Sequence, residues 1–154
     1  WGGLVGSQLF LLSTTALVEG VDDAMLPAVA YAMQVDLGLP LSSITTMAMM
    51  QALTMAAFAP LWGILGDRGV ASRRLLIVCG AIGQGVVTIV LAFASSYRLI
   101  LALRALNGVM LASLRPLAVS MLSEVTSEAS RGRSFSWIGC SSMLGMMVGF
   151  LLGT

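Results

Sequence analysis

The chain has no histidine and no lysine; all eight of its basic residues are arginine. Without histidine there is no His-based metal site and no imidazole switch near neutral pH. Charge of either sign is scarce. Charged residues make up 10% of the chain, against roughly 25% in an average soluble domain. So few charges cannot cover a soluble surface. The two cysteines, Cys79 and Cys140, fall in separate apolar runs, which suggests neither a disulfide framework nor a zinc site. No basic patch with interleaved aromatics is present, so no nucleic-acid partner is expected. The first apolar run lacks a basic leader and a small-residue cleavage site, so it does not read as a signal peptide. The chain opens on Trp1 rather than Met and stops at Thr154 inside an apolar run, as a fragment of a longer protein would.

Apolar sequence is what remains. Hydrophobic residues are 58% of the chain and the mean hydropathy is +0.96. Runs of about 20 such residues recur, each long enough to cross the hydrocarbon core as a helix. The expected fold class is an all-α integral membrane bundle, multi-pass, with the host membrane undefined. Helices are expected at about 4–33, 41–65, 75–94, 99–123 and 134–154, four full spans and a fifth cut short. The whole of 1–154 is then one partial bundle. Ser42 and Ser43 are positioned to cap the second helix. Ala52, Ala56, Ala59 and Gly63 fall at helical spacing along that run, and Gly145, Gly149 and Gly153 do so along the fifth. Small residues at that spacing let helix backbones approach closely in lipid.

Orientation follows from arginine. Arg68, Arg73 and Arg74 follow the second run and Arg131 and Arg133 follow the fourth, while the intervening loops hold only Arg98. The positive-inside rule makes both Arg-rich connections cytoplasmic.

Ionisable residues also lie inside the runs, where they are costly and tend to mark function. Glu19, Asp22 and Asp23 share one helical face by their i, i+3, i+4 spacing. Arg104 and Arg115 are eleven residues apart, about three turns plus 20°, so they share a face too. By rise per residue, Asp23 lies about 15 Å and Glu19 about 21 Å below the outer edge, between Arg104 at about 9 Å and Arg115 at about 25 Å. These five are the candidate substrate or proton pathway. The alternative is buried ion pairs that only hold helices together.

Gly63-x-Leu65-x-Asp67-Arg68 resembles the signature between helices two and three of the major facilitator superfamily. Gly69 comes one position early against that signature, and Arg73-Arg74 come two late. Arg104-x-x-Asn107-Gly108 resembles the family's helix-four motif. Arg131-Gly132-Arg133 resembles the start of its helix five. Leu26-Pro27 with Asp36-Leu37-Gly38-Leu39 resembles the outer end of its helix one. Spinster-like and related organic-solute members look most similar. The proline-containing antiporter motif of helix five has no match here.

The resemblance implies a twelve-helix carrier working by alternating access, of which this chain supplies helices 1–4 and most of helix 5 of the N-terminal bundle. It implies secondary active or facilitative transport of a small organic solute, with neither enzymatic activity, catalytic residue, metal nor cofactor. It implies a small-molecule substrate, a co-transported proton or cation, the lipid bilayer and the missing C-terminal bundle as partners. It also implies a cytoplasmic conformational latch of Gly63, Asp67, Arg68, Arg73, Arg74, Glu124, Arg131 and Arg133. Two alternatives stay open: a non-transporting membrane protein or truncated fragment acting as scaffold or sensor, and, for the arginines, a role in topogenesis alone.

Overall fold

A computed structural model describes residues 2–69 and 71–153, without the side chains at 2–5, 115 and 125. Six helices follow one another: α1 Gly2–Asp36, α2 Leu41–Asp67, α3 Arg73–Ala92, α4 Tyr97–Leu111, α5 Leu114–Val125 and α6 Glu128–Leu152. There is no strand among the described residues. The expected all-α architecture is what forms.

The helix ends have local causes. After α1, Leu37 N–H reaches back to the Met33 carbonyl at 3.2 Å, and Gly38 then turns the chain at φ +61°, a left-handed conformation that suits glycine. Pro40 is the residue before α2, at φ −68° and ψ 153°. Ser42 and Ser43 therefore lie inside α2 and do not cap it. Proline's fixed φ sets the entry into the helix, and no side-chain cap bond forms there. Ser72 does cap α3, accepting from Leu75 N–H at 3.3 Å. The α3–α4 turn lies at 93–96, with Tyr97 already helical and Ser96 at the cap position. Arg73 and Arg74 belong to the first turn of α3 instead of the connection before it.

The fourth apolar run is not one helix. It breaks at Ala112-Ser113, between α4 and α5. Pro116 explains this: it has no N–H for the Ala112 carbonyl, and its ring crowds that carbonyl.

The chain forms two compact units, Trp1–Val29 with Ala118–Thr154, and Ala30–Leu117. In the first unit α1 lies against α6 along a glycine seam. Gly145 sits against the Leu17 backbone, Gly149 against Val21 and Ala24, and Gly153 against Ala28. Gly20 answers from α1, against Ser142 and Met146. The expected small-residue seam of the fifth run is thus a real close approach.

In the second unit α2 packs on α4 and α3 packs on α4. Gly108 of α4 sits against Gln51 and Thr54 of α2, and Met47 of α2 is fully buried. Gly80 and Gly83 of α3 make room for Ser113 and Met110. The Ala52–Gly63 stripe is not this seam. Ala52 and Ala56 are exposed, and a Cβ on Gly63 would meet nothing within 4 Å. The face that carries Gln51 and Thr54 was taken instead, because Gly108 offers a groove only there.

Among the described residues, four stretches are long and apolar enough to cross a membrane: Leu41–Asp67, Arg73–Ala92, Tyr97–Glu124 and Glu128–Leu152. The expected first span is not among them. Every 18-residue stretch of α1 from residue 6 onward takes in Glu19, Asp22 and Asp23.

Candidate functional site

In the first unit the functional side chains are carried by α1. The face of α1 with Leu17, Val21, Ala24 and Ala28 is spent on α6. At about 100° per residue, Glu19 and Asp22 project from the opposite side of the helix. Both are buried, at 8% and 5% exposure. Asp23, next in sequence, is exposed. The three acids therefore differ in burial. Two carboxylates one turn apart are withdrawn from solvent, and the third is not. Leu12, Ala16 and Leu26 are buried as well, so the two carboxylates interrupt an otherwise apolar helix interior.

In the second unit the polar centre is Arg104 on α4. It is buried, at 4% exposure, and its Nη1 donates to Gln51 Oε1 of α2 at 2.9 Å. Asn107, one turn along α4, is fully buried. Gly108 beside it lets α2 come close enough for the Arg104–Gln51 bond. The helix-four motif thus has a local reason: arginine and asparagine supply polar groups, and glycine supplies the approach. The side chain of Arg115 lies outside the described residues. Its expected common face with Arg104 presumed one continuous helix, and the turn at Ala112-Ser113 interrupts that register.

The elbow between α2 and α3 carries the expected latch residues. Asp67 ends α2, and its Oδ1 lies 3.4 Å from Arg73 Nη2 in an ion pair open to solvent on the Asp67 side. Gly69 turns the chain at φ +66°, and Arg68 N–H donates to the Ile64 carbonyl at 2.9 Å. Arg68 and Arg74 are exposed. Gly66, not Gly63, is the glycine that packing demands. A Cβ on Gly66 would stand 2.5 Å from a Leu117 methyl and 3.7 Å from the Arg73 stem. In the first unit Glu124 and Arg133 are exposed, and Arg131 Nη2 donates to the Ser123 carbonyl at 3.4 Å.

Sequence reasoning missed Gln51, Trp62 and Gln84. Gln51 is the partner of Arg104. Trp62 Nε1 donates to the Val109 carbonyl at 2.8 Å, another bond from α2 to α4. Gln84 of α3 is buried, at 1% exposure. An amide inside an apolar run was the available signal in each glutamine. Among the described residues no group of three acidic, histidine or cysteine side chains could hold a metal ion.

The model of the Major Facilitator Superfamily matches residues 11–154. The chain is 40% identical over 102 residues to the multidrug efflux pump LfrA of Mycolicibacterium smegmatis, covering 63% of this chain and 20% of that protein. It is 32% identical over 102 residues to the class B tetracycline resistance protein of Escherichia coli, covering 66% and 25%. It is 31% identical over 135 residues to the 4-hydroxybenzoate transporter PcaK of Pseudomonas aeruginosa, covering 86% and 29%. The chain therefore spans less than a third of the length of these relatives.

Proposed function

This chain belongs to the Major Facilitator Superfamily and to an integral, multi-pass membrane protein, and from that membership we propose that it is the greater part of the N-terminal bundle of a small-organic-solute carrier. The carrier works by alternating access around a site near mid-membrane. A second, C-terminal bundle completes it, and a proton or another cation is the coupled partner. The relatives are named a multidrug efflux pump, a tetracycline resistance protein and a 4-hydroxybenzoate transporter, which favours a compact organic solute.

One observation carries this reading: Glu19 and Asp22 are both more than nine-tenths buried on a helix of bilayer length. Acids inside such a helix are costly and face a pathway by default. Glu19 and Asp22 take the coupled proton or cation, and Arg104 and Arg115 contribute the cationic side of the path. Asp67, Arg68, Arg73 and Arg74, with Gly63, Glu124, Arg131 and Arg133, form the cytoplasmic latch between conformations.

The test is uptake by the intact protein in proteoliposomes under an imposed pH gradient, with 4-hydroxybenzoate and tetracycline as probes. Glu19→Gln and Asp22→Asn should each abolish gradient-driven movement of the transported probe while the protein still inserts and unfolds at the parental temperature. Parental uptake in both variants sinks the pathway role and leaves the two acids as packing groups.

A further inference from the structure

The break in α4 takes the helical donor away from one carbonyl. In a continuous helix Ser113 N–H would donate to the Val109 carbonyl, four residues back. Here Ser113 N–H donates to the Met110 carbonyl instead, at 3.2 Å, and the Ser113 hydroxyl goes to the same carbonyl at 2.8 Å. Both donors of Ser113 have turned away from Val109. The indole N–H of Trp62 fills the vacancy from α2 at 2.8 Å. A carbonyl withdrawn from water without a donor is costly, and the indole bond offsets that cost at the half-buried Val109.

The neighbours fit the broken form. Ser113 is fully buried and its hydroxyl lies against Gly80 of α3, in space that a Cβ would fill. Pro116 removes the donor that the Ala112 carbonyl would otherwise accept from. We propose that Trp62 and the α4 break form one two-state latch: the Val109 carbonyl is held by Trp62 when the helix is broken at Ala112-Ser113, and by Ser113 N–H when it is continuous. Trp62 is then a positioning residue. It acts on the Arg104–Gly108 segment through the α4 backbone and sets where that segment ends. All of these groups lie within Ala30–Leu117, and the latch does not depend on the solute-path reading.

The experiment follows the indole proton of Trp62 by 15N NMR in the intact protein in lipid nanodiscs, its resonance assigned by loss in Trp62→Phe. The exposed Trp137 is the reference. In the parent, Trp62 N–H exchanges with solvent more slowly than Trp137 N–H. Pro116→Ala restores a donor for Ala112 and favours the continuous helix, so Trp62 N–H should exchange about fivefold to tenfold faster, the equivalent of one hydrogen bond. In Trp62→Phe the Ser113 amide closes on Val109, and its own exchange slows by a similar factor. The latch is overturned if Trp62 N–H exchanges as fast as Trp137 in the parent, or at the parental rate in Pro116→Ala. It is overturned equally if Ser113 exchange is unchanged in Trp62→Phe.

Discussion

Arg104 and Gln51 meet across the α2·α4 seam with 2.9 Å between guanidinium nitrogen and amide oxygen. The bond ties the two helices together through a buried guanidinium and an amide oxygen. Hydrogen bonds to charged groups contribute about 1.5–3 kcal/mol each. Gln51→Leu should destabilise the intact protein in detergent by that order, seen as a lower thermal unfolding temperature, and Gln51→Glu should restore most of it. Equal unfolding temperatures for the parent and Gln51→Leu would show that the bond carries no stability.

The glycine seam of α1 and α6 gives a paired prediction. A methyl at position 145 runs into the Leu17 backbone, whereas one at position 139 meets nothing within 4 Å. Backbone cannot step aside as a side chain can. Gly145→Ala should destabilise by about 1–3 kcal/mol, and Gly139→Ala should stay within about 0.5 kcal/mol of the parent. Chemical denaturation of the two variants side by side decides it.

The elbow offers a similar contrast between Gly66 and Gly63. At Gly66 the obstruction is a Leu117 methyl and the Arg73 stem, while Gly63 faces open space. A leucine methyl can give way, so the cost at Gly66 is moderate. Gly66→Ala should destabilise by about 1 kcal/mol and Gly66→Val by more. Gly63→Ala should be neutral in the same unfolding assay, and if Gly63→Ala cycles normally in a transport assay, that glycine leaves the latch.

Asp67→Asn separates stability from function. The Asp67–Arg73 pair spans 3.4 Å and is open to solvent, and exposed pairs contribute about 0–1 kcal/mol. The variant should unfold within about 1 kcal/mol of the parent. Solute exchange should nevertheless be slower, with binding still detectable by a bound-probe assay. Parental turnover would return these arginines to a role in topology alone.

Asp23 serves as the internal control for the acid pair. It is exposed where Glu19 and Asp22 are buried. Asp23→Asn should keep gradient-driven uptake, while the two buried positions lose it. Equal losses at all three would mean that burial does not select the working carboxylates.

Much of the fold was legible because lipid imposes simple rules. Apolar length gave the helices, and Gly145, Gly149 and Gly153 announced their seam by spacing alone. Two things were not legible. The Ala52–Gly63 stripe has the same spacing, yet Gly108 on the facing helix decides which side of α2 is used. Spacing describes one helix, and a seam requires two. The break at Ala112-Ser113 was missed because Pro116 in a membrane helix is often absorbed by a mild bend. Here a tryptophan 47 residues before Val109 donates to the Val109 carbonyl, which the turn leaves without its helical donor. In the candidate site, the placing of Glu19, Asp22 and Arg104 inside apolar runs anticipated their burial, but the exposure of Asp23 and the partner Gln51 depend on which faces meet.

The glycine seam has a mechanical meaning for the acids it leaves on the far side of α1. At Leu17 and Val21 the separation of α1 and α6 is fixed by main-chain contact with Gly145 and Gly149. Peptide geometry is stiff, whereas side chains hop between rotamers. The two helices behave there as a single strut. A displacement of α6 is then passed by main-chain contact to the stretch of α1 backbone that bears Glu19 and Asp22.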